Sequence, residues 1–234
     1  MRPIMKRVLK KNHRHLLIFT ISMLMIWLFT VIRSEWRPEM HFWNKAFGDA
    51  GFIFIILVLF IGAAARLFPF IGGALPWQRE IGIWSIIFTL IHVYIVYDGW
   101  GEGSLAELFG YTFHRWREQW VLTDPGFALA NILGLAALFY GLVLLSTSNR
   151  LSVRLLTRNS WKYLQRRSVH FLYILAGIHT AYFLYFHFTA FPRQPPPPNF
   201  FSVAFPAMIV FLSIMQSAAF CKVVLTGRKF IDEE

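Results

Sequence analysis

Charge is scarce in this chain. Only 15% of its 234 residues are charged, while 56% are hydrophobic. A soluble domain carries about a quarter of its residues as charge, so that composition excludes an ordinary soluble fold and leaves an apolar surplus facing lipid. Acidic residues are scarcer still, 12 against 23 Lys and Arg. Cysteine occurs once, at Cys221, which excludes an internal disulfide framework and a thiolate metal cluster and leaves this residue to fill space at the inner end of the last apolar run. A Gly-rich nucleotide motif is absent, as are an internal repeat and a composition break that would mark a second domain. Residues 1–234 therefore read as one unit.

What is present is a series of apolar runs of bilayer-spanning length, about 20 residues each. They lie near 15–32, 50–70, 80–97, 125–146, 165–188 and 201–221. These runs predict an all-α integral membrane protein, a six-transmembrane-helix bundle. With six spans, 17 of the 23 Lys and Arg fall in the N-terminal tail, the 2–3 and 4–5 connections and the C-terminal tail. Eight acidic residues, Glu35, Glu39, Asp49, Asp98, Glu102, Glu107, Glu118 and Asp124, fall on the other side. The excess of cations on one side predicts that both termini are cytoplasmic; the expected location is the cell's inner (plasma) membrane, as a multi-pass protein. The net charge of +11 then reports topology and contact with membrane lipid, not a nucleic-acid partner. The N-terminal run lacks a small-residue cleavage site and is expected to be a retained helix.

Two loops carry information. Residues 98–124 contain YTFHRWREQW, in which Trp116 and Trp120 flank Arg115, Arg117 and Glu118; this predicts an amphipathic segment at the outer interface. Asp124-Pro125 then supplies a helix cap and a first-turn proline to the fourth span. The run RQPPPPN reads as a stiff polyproline spacer before the last span.

Of eight histidines, His13, His15, His41, His114 and His187 fall in tails, loops or span ends, where a solvated role suffices. His92, His170 and His179 lie within apolar runs, where an imidazole must face the protein interior, find a partner or hold a cofactor. Span 3 enters near Arg79 and span 5, running in the same direction, near Arg167; His92 and His179 lie 13 and 12 residues in, each about 20 Å deep. Two imidazoles at matched depth on parallel helices are the arrangement for the two axial ligands of a haem iron in the outer half of the bilayer. The alternative for each is a polar packing residue. His170, nine residues before His179, falls on the opposite face of its helix, and would serve as a ligand only if the helix were deformed. The position on the His179 face fourteen residues back is Gln165, whose amide is a poor haem ligand. The spacing thus supports one haem and gives no clean second one.

At this point the residues resemble a known family. QREIGIWSIIFTLIH resembles the third helix of the ferric-reductase-like transmembrane family, most closely its MsrQ (YedZ) branch. FIGAAAR, ending in Arg66, resembles the end of the second helix; LLSTSNR, with Ser146 and Thr147, the end of the fourth; and WKYLQ followed by LAGIH, the fifth. The resemblance covers residues 47–190 in order. It implies a bundle that binds b-type haem and moves electrons from a cytoplasmic flavin reductase or quinol, with FMN or quinone as intermediary, to a periplasmic oxidoreductase subunit or another acceptor. By position, His92 and His179 correspond to the family's haem ligands. The family places histidine after the Trp-x-x-Leu of its fifth helix, where this chain has Gln165 after Trp161 and Leu164.

Arg66, Arg79 and Arg150, with Arg154, sit at the predicted cytoplasmic rim, where guanidinium groups suit haem propionate, flavin phosphate or lipid phosphate alike. The expectation is a b-type cytochrome acting as the electron-transferring subunit of an oxidoreductase. The competing one is a haem-free membrane anchor within a larger complex; a transporter would show broken helices and an inverted repeat, and neither is evident.

Overall fold

The structure, a computed structural model, describes residues 3–34, 39–189 and 199–231. Six of its helices are long and apolar enough to cross a membrane. They belong to α1 (Pro3–Ile32), α2 (Glu39–Leu67), α3 (Trp77–Gly99), α5 (Pro125–Thr147), α7 (Arg158–Ala181) and α8 (Phe201–Ile231). Two short helices, α4 (Leu105–Leu108) and α6 (Arg150–Leu155), sit in the connections. The expected spans are all present, but α2 begins at Glu39, eleven residues before the apolar run predicts.

Local chemistry fixes the ends. Pro69 closes α2, since the residue before a proline leaves the helical region. Asp124 caps α5 by accepting from the Phe127 N–H at 3.0 Å, and Pro125 occupies the first turn, where its missing N–H costs nothing. Asn149 caps α6 in the same way, and Thr157, at φ 62°, breaks the chain between α6 and α7. The RQPPPPN spacer lies outside the described residues except for Asn199. The loop read as an amphipathic segment is α4 followed by a hairpin, β1 (Tyr111–His114) paired antiparallel with β2 (Gln119–Leu122), Tyr111 opposite Leu122. One hairpin face carries Tyr111, Phe113, Trp120 and Leu122, and Trp116 at the tip is 94% exposed. Gly110, at φ +75°, lets the hairpin close: its carbonyl accepts from both Thr123 and Asp124, and a Cβ there would collide with the Asp124 backbone.

The helices pack as two principal antiparallel pairs, α2 with α3 and α5 with α7, with α8 and α1 laid against α2. Small residues let the backbones approach: Gly51 faces Ser85, whose hydroxyl donates to the Gly51 carbonyl at 2.8 Å, and Gly141 faces Ile86. One end of the bundle, here the proximal end, gathers the chain-terminal ends of α1 and α8. There Arg14 donates to Glu80 at 2.9 Å and Lys222 to the Leu67 carbonyl at 2.8 Å. At the opposite, distal end, buried Arg33 pairs with Asp49 and donates to Asn199 at 3.0 Å. Cys221 is exposed on α8, so it fills no interior gap. Pro206 inside α8 frees the carbonyl four residues back, Ser202, and the Tyr185 hydroxyl donates to it at 2.6 Å.

Candidate two-histidine site

Four helices bring His92 and His179 together. His92 stands on α3 and His179 on α7, and their ring centres are 6.1 Å apart with planes at 88°. Each ring lies against a glycine on the helix paired with its own. A Cβ on Gly48 of α2 would sit 3.0 Å from His92 Nδ1, and one on Gly134 of α5 would sit 2.8 Å from His179 Nδ1. Each Nδ1 is within hydrogen-bonding reach of a backbone carbonyl four residues before that glycine: Asn44 at 3.1 Å for His92, Ala130 at 2.7 Å for His179. The same device is thus built twice.

Because a carbonyl only accepts, both Nδ1 atoms carry the proton. Both Nε2 atoms are then lone-pair acceptors, and neither makes a hydrogen bond among the described residues. His92 and His179 both line a shared cavity of about 280 Å³, whose walls include Phe52, Val93, Leu172 and Ala176. Asn44 also lines it, and its buried Oδ1 makes no hydrogen bond among the described residues. Beyond His179 the helix widens into a π-turn over Tyr182–Phe186, an irregularity common at functional sites. Phe183 packs edge-on against His179 with centres 5.0 Å apart.

This donor set fits haem b. A metal ion held between two imidazole nitrogens separates the ring centres by about 6 Å. Two imidazoles alone suit a centre whose remaining ligands come from a macrocycle; among the described residues there is no group of three or more His, Cys, Asp or Glu that could hold a metal ion. Nδ1–H donation to a carbonyl fixes tautomer and ring plane, as metal-ligating histidines require.

The other expected site residues lie elsewhere. His170 is exposed, its Nδ1 2.6 Å from its own helix's Arg166 carbonyl. Gln165, at the proximal end, donates to the Thr147 hydroxyl at 2.7 Å. Arg66 donates to Gln216 at 3.0 Å and Arg79 to the Ser148 carbonyl at 2.5 and 3.0 Å, while Arg150 is exposed; none of the three lines the cavity. Conversely His41 and His187, read from sequence as loop or interfacial residues, do line it, with His41 stacked on Trp100 at 4.5 Å. Sequence reasoning also missed Lys45 and Asp49 on the cavity wall. A polar residue every four positions just before the second apolar run was the available signal. No family model matches this chain, and no curated protein or solved structure matches it.

Proposed function

We propose that this protein is a membrane-embedded b-type cytochrome, the electron-transferring subunit of an oxidoreductase, with His92 and His179 as the axial ligands of one haem. The observation that carries this is the pair of imidazoles at 6.1 Å, each oriented through Nδ1 by a carbonyl and each leaving Nε2 to the shared cavity. When bound, the haem supplies reversible one-electron chemistry at iron. The chain would hold it from both sides, and the ligands together with the mixed apolar and ionic lining would set its potential. The α2–α3 and α5–α7 pairs hold the two ligands on rigid helices, so little rearrangement accompanies a change of charge.

The cation-rich proximal end supports a topology with both termini in the cytoplasm and the haem toward the outer face of the inner membrane. Electrons then enter from a cytoplasmic flavin reductase or from quinol and leave to an oxidoreductase subunit or other acceptor outside. The proximal arginines, Arg66, Arg79 and Arg150, do not line the cavity, so in this reading they serve an anionic donor or lipid phosphate and not the haem.

The test is the reduced-minus-oxidised absorption spectrum of purified protein with haem quantified per chain. One b-type haem per chain is expected. His92→Ala and His179→Ala each abolish the signal, and His170→Ala leaves it intact. Colourless protein made with haem available would overturn the reading in favour of a haem-free anchor.

A further inference from the structure

Three ionic side chains meet at the distal side of the two-histidine cavity, and two of them satisfy each other. Asp49 lines the cavity and is paired with Arg33, which is 1% exposed. Lys45, one helical turn before Asp49 on α2, lines the same cavity and has neither an ion pair nor a hydrogen bond among the described residues. Its ammonium lies 5.5 Å from the centre of the Phe183 ring, which in turn packs on His179. Among the described residues the group sets two cations, Arg33 and Lys45, against one carboxylate, Asp49, which already hydrogen-bonds Arg33. A cation held in an apolar interior is costly unless an anion meets it, and a face-on aromatic ring offsets only part of that cost.

The position of Lys45 says what kind of anion. It lies one residue from Asn44, whose carbonyl orients His92, and three from Gly48, which packs on the same ring. Lys45 and both imidazoles line one cavity, with the ammonium beside Phe183, one turn distal of His179, so a group held by the imidazoles shares that cavity with it. Haem b has anionic carboxylates along one edge only. We propose that Lys45 is the counter-ion for a haem propionate and so determines which edge of the cofactor faces the distal end. This rests on the cytochrome reading above.

The experiment loads the full-length protein, prepared without haem, with haemin and with haemin dimethyl ester, in which both carboxylates are capped. Wild-type protein is expected to bind haemin about tenfold more tightly than the diester, the value of one ion pair worth about 1.4 kcal/mol. Lys45→Gln removes that preference by weakening haemin alone, and Lys45→Arg restores it. Lys45→Gln also lowers the midpoint potential, because a nearby cation favours the more negative reduced form, whereas Lys45→Arg holds it. Equal affinity of wild-type protein for the two compounds overturns the assignment, as does a Lys45→Gln variant that weakens both equally. Absence of an imidazole-ligated spectrum with either compound overturns the cytochrome reading, and this assignment falls with it.

Discussion

The same helices are finished differently at their two ends. At the proximal end of α5 and α7, Gln165 donates to the Thr147 hydroxyl and the Trp161 indole to the Thr147 carbonyl at 2.8 Å, while Arg79 takes the carbonyl of Ser148. The polar groups named there are bonded to one another, which makes that end of α5 and α7 a structural joint. At the distal end two Nε2 atoms and the Lys45 ammonium, on residues that line the cavity, make no hydrogen bond among the described residues. Buried polar groups left open cost free energy, so an interior that keeps them is shaped for something that completes them. Closure at one end and openness at the other, along one set of helices, distinguishes a joint from a binding site more clearly than residue type does.

Substitutions can break that contrast, and the largest effect is expected where the open end is braced. Asp49→Ala leaves the Arg33 guanidinium buried without its carboxylate, and is expected to cost about 3 kcal/mol or more, read as a fall in the midpoint of thermal unfolding in detergent. A melt unchanged from wild type would show that this pair does not brace the cavity. Next comes Gly134→Ala, whose Cβ would press on the His179 ring; about 1–3 kcal/mol of overpacking and a weakened haem signal are expected. Gly48→Ala, with its slightly longer approach to His92, should do the same less strongly. The smallest effect sharpens the comparison from the closed end. Gln165→His places an imidazole where the resembled family has one, yet it is expected to lose only about 0.6 kcal/mol with the Thr147 bond. Haem per chain should stay at one, and a rise to two would show that the proximal end can open.

What was legible in the sequence follows from which physics is local. Helix rise is constant, so counting residues from Arg79 and from Arg167 was enough to place His92 and His179 at one depth, and the structure brings those rings together. The nine-residue offset likewise predicted that His170 would turn away, and it is exposed. The start of α2 was misplaced because Asn44, Lys45 and Asp49 lower the hydropathy of residues 39–49, and they are polar because they face the cavity. The apolar pattern thus failed at the residues that build the site. Gly48 and Gly134 were invisible for another reason. Their role exists only across the α2–α3 and α5–α7 contacts, which no single-helix periodicity contains. The hairpin was legible only as an aromatic, basic stretch, since its pairing depends on the turn at residues 115–118.

The wide turn after His179 constrains how this chain can change length. In a regular helix, residues four apart overshoot a full circle by about 40°, so positions 179, 183 and 187 would drift by about 80° around the axis. The broader winding of Tyr182–Phe186 absorbs part of that drift, and His179, Phe183 and His187 all reach the same cavity. Deleting one residue from this turn would rotate His187 while leaving His179 where it is. The segment is therefore a phase setting for His187 relative to His179, and a change of length between 179 and 187 would move one of the two histidines off the cavity.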